Sequence, residues 1–148
     1  MSEARPRRES HWLADEAATL AAGAALAERL GAAPSALVCL HGELGAGKTT
    51  LVRGMLRGLG HAGSVKSPTY TILEPYEISN CVVYHFDFYR ILDPQELDFI
   101  GLDELLEQTA LKLVEWPEQA ADRLPPADMD VYLSVEGTGR RLEIHWHR

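Results

Sequence analysis

From Leu13 to Leu30 the apolar positions are mostly Ala and Leu, strong helix formers, with Asp15 and Glu16 near the start and Arg29 near the end. That order of charges suits the helix dipole and Gly31 supplies a stop, so a first helix is predicted. Pro34 then precedes Ala36-Leu37-Val38-Cys39-Leu40, a short unbroken apolar run of the kind that forms a strand covered on both faces. Beyond the glycine-rich stretch Gly42 to Gly47, residues Lys48 to Leu59 put Leu51, Val52, Met55, Leu56 and Leu59 on one helical face, and Gly60 closes the segment. The predicted order is strand, glycine loop, helix.

Tyr70 to Tyr76 and Cys81 to Asp87 read as two strands joined at Ser79-Asn80, an antiparallel hairpin. Asp93-Pro94-Gln95-Glu96 carries an N-cap, a proline at the first helical position and an acid at the third, so another helix begins there, with a break and restart at Gly101 and Asp103. Leu111 to Glu115 is a further apolar run ending in an acid. Pro117 to Leu124 reads as a short helix cut off by Pro125-Pro126. Met129 to Val135 and Arg141 to Trp146 flank Gly137-Thr138-Gly139 as a closing hairpin. No internal repeat or low-complexity linker interrupts this order. The expected architecture is a single α/β domain over 1–148, with a mainly parallel central sheet, antiparallel strands at its edges and flanking helices.

Composition narrows the setting. At 148 residues, 46% hydrophobic and 24% charged, the chain can build its own core without metal or disulfide staples. Cys39 and Cys81 both lie in apolar runs with no partner at metal-ligand spacing, which points to buried thiols and a reducing cytoplasm. Fourteen basic against twenty-two acidic residues give a net charge of −8, so no global field draws in nucleic acid. Arg5, Arg7 and Arg8 open the chain, but Asp15 and Glu16 interrupt before any hydrophobic region of a targeting sequence, and residues 1–10 read as a flexible tail. No segment has the apolar length of a membrane span, and no membrane association is expected.

The strongest chemical signal is Gly42-Glu43-Leu44-Gly45-Ala46-Gly47-Lys48-Thr49, a complete G-x-x-x-x-G-K-T between a predicted strand and a predicted helix. In such a loop backbone N–H groups turn inward around phosphate oxygens, and the helix N-terminus adds positive potential. Lys48 then reaches the β- and γ-phosphates and the Thr49 hydroxyl ligates Mg²⁺. ATP and Mg²⁺ are the expected ligands. An acid is also needed near the metal, usually at the end of a neighbouring apolar strand, and both Asp87 and Glu115 qualify. Ser67-Pro68-Thr69-Tyr70 falls where switch segments offer a hydroxyl to Mg²⁺ and the γ-phosphate, although a plain proline turn would read the same way. His85, Tyr89, Arg90 and Trp116 read as packing or salt-bridge residues.

Taken together, Gly42 to Thr50 (GELGAGKTT), Ser67 to Tyr70 (SPTY), His85 to Arg90 (HFDFYR) and Glu115 to Glu118 (EWPE) resemble, in order and spacing, the TsaE family, formerly YjeE. These are small bacterial P-loop ATPases required for the threonylcarbamoyladenosine modification of tRNA. Glu43 stands where the family commonly has Asp and keeps the charge. The resemblance implies that the loop from Gly42 to Thr50 binds ATP and that Lys48 and Thr49 hold phosphate and Mg²⁺. It makes Thr69 a switch threonine, Asp87 the Walker B-like acid, and Glu115 a second acid near the metal or the hydrolytic water. Trp116 corresponds to a tryptophan that affects activity and reports on the nucleotide. It further implies work beside a TsaD–TsaB pair, with TsaD modifying adenosine 37 and tRNA met through the complex. Two other functions share the P-loop: a small-molecule kinase, disfavoured because 64–87 holds no arginine to clamp an acceptor, and a nucleotide-dependent adaptor with negligible catalysis.

Overall fold

The computed structural model describes residues 7–31, 34–65, 72–79 and 81–147. Its strands are β1 (Arg8–Leu13), β2 (Ala36–His41), β3 (Leu73–Ile78), β4 (Cys81–Asp87), β5 (Leu111–Glu115), β6 (Met129–Glu136) and β7 (Gly139–Trp146). Between them lie helices α1 (Glu16–Leu30), α2 (Lys48–Gly58), α3 (Glu96–Phe99) and α4 (Leu102–Glu107), and a 3-10 helix over Pro117–Arg123. The strands form one sheet in the order β1-β7-β6-β2-β5-β4-β3. β6, β2, β5 and β4 are parallel to one another, and the hairpin partners β7 and β3 add antiparallel edges, as the sequence predicts.

The central strands are apolar because they are covered twice. Val38 and Leu40 of β2 join the core under α1 and α2, whereas Leu37 and Cys39 join the core that includes Leu97 of α3 and Leu102 of α4. The two long helices meet at glycines. A Cβ on Gly23 would stand 2.4 Å from the Leu51 carbonyl oxygen, and one on Gly54 2.3 Å from that of Leu20. Backbone therefore lies against backbone, which sets α2 and the loop before it at a fixed height above the sheet.

One expectation fails at the chain start. Residues 1–10 read as a flexible tail and the first helix as beginning at Leu13; residues 1–6 lie outside the described residues, but Arg8–Leu13 is a strand paired antiparallel with β7, Arg8 opposite His145 and Leu13 opposite Arg140. Its outward burial pattern hides it from a hydrophobicity reading. What holds it is a polar clamp: Arg29 at the end of α1 donates to both oxygens of Glu9 at 2.9 and 2.6 Å, and Trp146 Nε1 donates to Glu9 Oε2 at 3.0 Å. The helix starts three residues late because Asp15 caps it, accepting from the Ala18 N–H at 2.9 Å. Pro117–Arg123 is a 3-10 rather than an α-helix, and α3 is one turn, although Glu96 does accept from the Asp93 N–H at 3.1 Å as the predicted capping box requires.

Candidate active site

At the C-terminal end of β2 the chain must turn up into α2 within six residues. Gly42 makes that turn possible: a Cβ there would lie 2.5 Å from the Leu133 carbonyl oxygen on β6 and 3.2 Å from Ala46. Gly47, in the left-handed region at φ 106°, delivers the chain to the helix without a side-chain cap, so the first N–H groups of α2 point into the loop. Glu43, Leu44 and Gly45 are exposed on its rim, and Ala46 is buried beneath it.

Lys48, the first residue of α2, is only 5% exposed. Its ammonium donates to the Gly42 carbonyl and lies 3.8 Å from the centre of the Trp116 ring. Burial lowers its pKa, and the carboxylates of Glu115 and Asp87 push back in the opposite sense. Thr49 Oγ1 donates to Glu115 at 3.1 Å from Oε2 and 3.3 Å from Oε1. Parallel pairing explains the meeting, since Leu40 of β2 lies beside Glu115 of β5, so the acid comes up next to the loop that follows β2.

Asp87 pairs with Glu115 across β4 and β5 and faces the same cleft. Its carboxyl accepts from the Tyr89 N–H at 3.0 Å, and its pKa is raised, chiefly by burial, with the neighbouring Glu115 charge adding to the shift. Trp116 adopts a left-handed backbone at φ 57° and ψ 50°, a conformation costing a non-glycine residue about 1–2 kcal/mol. That kink brings its ring over Lys48 and within 5.0 Å of the Tyr89 ring.

These residues line a cleft of 320 Å³. A second hollow of 210 Å³ adjoins it across the glycine loop, sharing Gly45, Gly47 and Thr50 and closed by Leu13, Thr19 and Arg140. Arg140 donates to the Gly45 carbonyl at 3.2 Å, tying the last hairpin to the loop. The structure thus brings together Gly45, Gly47, Lys48, Thr49, Thr50, Asp87, Glu115 and Trp116. Thr69, with the rest of Ser67 to Tyr70, lies outside the described residues. Tyr89 and His85 were legible only as packing residues, yet Tyr89 lines the cleft and His85 Nε2 lies 2.6 Å from Glu115 Oε2. Period-two alternation was the available signal, since it puts His85 and Asp87 on one face of the same strand. Arg140 carried no sequence signal.

A parallel-centred sheet with a glycine loop between strand and helix, its lysine and threonine set against an acid on the next parallel strand, defines a P-loop-type α/β protein. The family model described as "Threonylcarbamoyl adenosine biosynthesis protein TsaE" matches residues 13–142. The chain belongs to the TsaE family, whose members serve tRNA threonylcarbamoyladenosine biosynthesis. The tRNA threonylcarbamoyladenosine biosynthesis protein TsaE of Haemophilus influenzae is 43% identical over 138 residues, 91% of this chain and 87% of that protein. Its counterpart in Bacillus subtilis is 37% identical over 110 residues, 74% of this chain and 68% of that protein. Among solved structures, the crystal structure of Bacillus subtilis YdiB superposes with a TM-score of 0.79 at 27% identity, covering 97% of this chain and 88% of that one.

Proposed function

We propose that this chain binds ATP with Mg²⁺ in the cleft over β2 and β5 and hydrolyses it in support of N6-threonylcarbamoylation of adenosine 37 in tRNA. The observation that carries this reading is the junction of Lys48, Thr49 and Glu115 at the mouth of a loop whose Gly42, Gly45 and Gly47 all take positive φ. The loop's N–H groups supply donors to phosphate oxygens without rearrangement. Lys48, a cation drawn out of water, exchanges the Gly42 carbonyl and the Trp116 face for the β- and γ-phosphates. The hollow across the loop leaves room for the nucleoside.

The donors present are hard oxygens, which fits Mg²⁺: the Thr49 hydroxyl and the carboxylates of Glu115 and Asp87. Among the described residues no three His, Cys, Asp or Glu side chains are arranged to hold a metal alone. A cation here therefore completes its shell from water and phosphate, the usual habit of Mg²⁺. When bound, that ion would neutralise charge on the transferring phosphoryl group. Glu115, hydrogen-bonded to Thr49, stands where it keeps the hydroxyl oriented. Asp87, whose proton is held more tightly than usual, stands where it meets the ion's water shell or the attacking water.

Family membership supports a TsaD- and TsaB-like pair as partners, and the net charge of −8 argues that tRNA is reached through them. Two buried free thiols, Cys39 and Cys81, with the Cys39 pKa pushed up to about 12 by burial, fit a cytoplasmic setting. Among the described residues no helix is long and apolar enough to cross a membrane. Phosphate release from ATP by the full chain, alone and with the purified pair, tests the proposal. Low turnover alone and a clear rise with the pair is expected. No release under either condition would leave an adaptor, and phosphate appearing on a small-molecule acceptor would indicate a kinase.

A further inference from the structure

His85, two residues before Asp87 on β4, is 0% exposed, and nothing in the proposed chemistry accounts for it. A fully buried imidazole, opposite Leu113 in the sheet, carries a desolvation cost that only hydrogen bonds offset. Here the offset is partial. Nε2 lies 2.6 Å from Glu115 Oε2, whereas Nδ1 is buried with no hydrogen-bond partner. An apolar side chain would fill the space without that cost, so the ring is worth its place only through the single bond it makes.

That bond has a particular geometry. His85 pairs with Leu113 and Asp87 with Glu115, so His85 and Glu115 are diagonal neighbours on one face of β4 and β5. A carboxylate cannot donate, so the proton in the 2.6 Å contact belongs to His85 Nε2. The Thr49 hydroxyl reaches the same Oε2 at 3.1 Å and Oε1 at 3.3 Å. Lys48 and Thr49 are the groups that ATP and the cation would draw away or reorient. The His85 bond, by contrast, is made by a ring with 0% exposure, out of reach of either ligand.

We infer that His85 is a positioning residue: its Nε2–H holds the Glu115 carboxylate in the orientation that faces Thr49, and so sets the geometry in which the two meet a divalent cation. The inference rests on the proposed ATP and Mg²⁺ reading and adds to it the group that keeps the acid in place throughout a cycle. A misplacement of an ångström at such an oxygen is enough to cost a large part of the effect.

Two measurements test it on the full chain. In the ¹⁵N-histidine-labelled, nucleotide-free protein, the His85 proton is expected on Nε2; a bare Nε2 would overturn the inference. Binding of a fluorescent ATP analogue is then measured in EDTA and in Mg²⁺ for the unaltered chain, His85→Leu and His85→Gln. In His85→Leu, affinity in EDTA should stay within about twofold while the gain conferred by Mg²⁺ falls about tenfold, the usual loss when a ligand's supporting hydrogen bond is removed. His85→Gln, which keeps a donor near the Nε2 position, should restore most of that gain. Equal losses with and without Mg²⁺, or a Gln variant as poor as Leu, would make His85 merely structural. If His85→Leu does not fold, the Gln variant and the spectrum decide. Failure of the unaltered chain to bind the analogue would overturn the ATP reading and this inference's link to the cation. A bare Nε2 with binding intact overturns the inference alone.

Discussion

Removing the Lys48 ammonium is expected to weaken ATP binding by about three orders of magnitude. One unit charge about 4 Å from another, in surroundings of effective dielectric about 20, contributes about 4 kcal/mol, and the β- and γ-phosphates together give about 8 kcal/mol. The ammonium must first leave its present partners. Its position 3.8 Å from the Trp116 ring centre is worth about 2 kcal/mol when desolvated, and the charged hydrogen bond to Gly42 about the same. About 4 kcal/mol remains, a factor of about 10³ in Kd. Lys48→Ala and Lys48→Met should both show it, because what matters is the charge and Met keeps the length of the side chain. Lys48→Arg should fall between, since a planar fork does not replace a compact ammonium in a site 5% exposed. Fluorescence anisotropy of a labelled ATP analogue reads the affinity, and thermal unfolding of each variant separates lost binding from lost fold. A loss below tenfold in both Ala and Met variants that remain folded would refute the assignment of Lys48 to phosphate.

The acids should differ in kind. Glu115→Gln should lower turnover more than nucleotide affinity if it orients Thr49 and the reacting groups, whereas Asp87→Asn should chiefly weaken the Mg²⁺ dependence of both; parallel Mg²⁺ titrations of binding and phosphate release distinguish them. Gly42→Ala puts a Cβ 2.5 Å from the Leu133 carbonyl, so it should cost about 1–3 kcal/mol in stability and most of the binding, read by denaturant unfolding and anisotropy; an unaltered midpoint would contradict the close approach. Glu9 has its pKa lowered from 4.5 to about 2, first by the Arg29 hydrogen bonds, so its stabilisation is complete above about pH 4.5 and disappears as the pH falls towards 2. The shift corresponds to at most about 3 kcal/mol, and to about 1–2 kcal/mol once screening of the one-third-exposed Arg29 is allowed for. The stability gap between the unaltered chain and Glu9→Gln should therefore narrow between pH 5 and pH 2.5, and a constant gap would dissociate Glu9 from Arg29.

What was legible in the sequence follows from which interactions leave a periodic mark. β2 is covered on both faces and therefore reads as an unbroken apolar run, and α2 has one buried face and reads at helical spacing. β1 leaves no such mark. Its register comes from a hydrogen-bond ladder to β7 and from Glu9 meeting Arg29 and Trp146, contacts 20 and 137 residues away in the chain. A polar edge strand held by distant ion pairs looks, along the sequence, like a tail. The same limit explains Arg140, which reaches the Gly45 carbonyl 95 residues back.

At the site, the motif located the loop but not the division of labour between the acids, because that depends on strand order. Asp87 and Glu115 both end apolar strands and are equivalent until the sheet is known. The order β2-β5-β4 makes β5 the immediate neighbour of the loop strand, and Glu115 consequently receives the Thr49 hydroxyl, while Asp87 lies one strand further out and engages the Tyr89 N–H instead. Two carboxylates side by side on adjacent strands would repel one another, and the arrangement separates them by their donors: Glu115 meets both His85 and Thr49, whereas Asp87, among the described residues, accepts from the Tyr89 N–H and has a pKa raised by burial. The left-handed turn at Trp116 completes the asymmetry by placing the ring against Lys48, immediately after the acid that Thr49 engages. Strain at Trp116, a half-bonded buried histidine and a desolvated lysine thus converge on one carboxylate, the expected pattern where local stability has been given up for the geometry of a site.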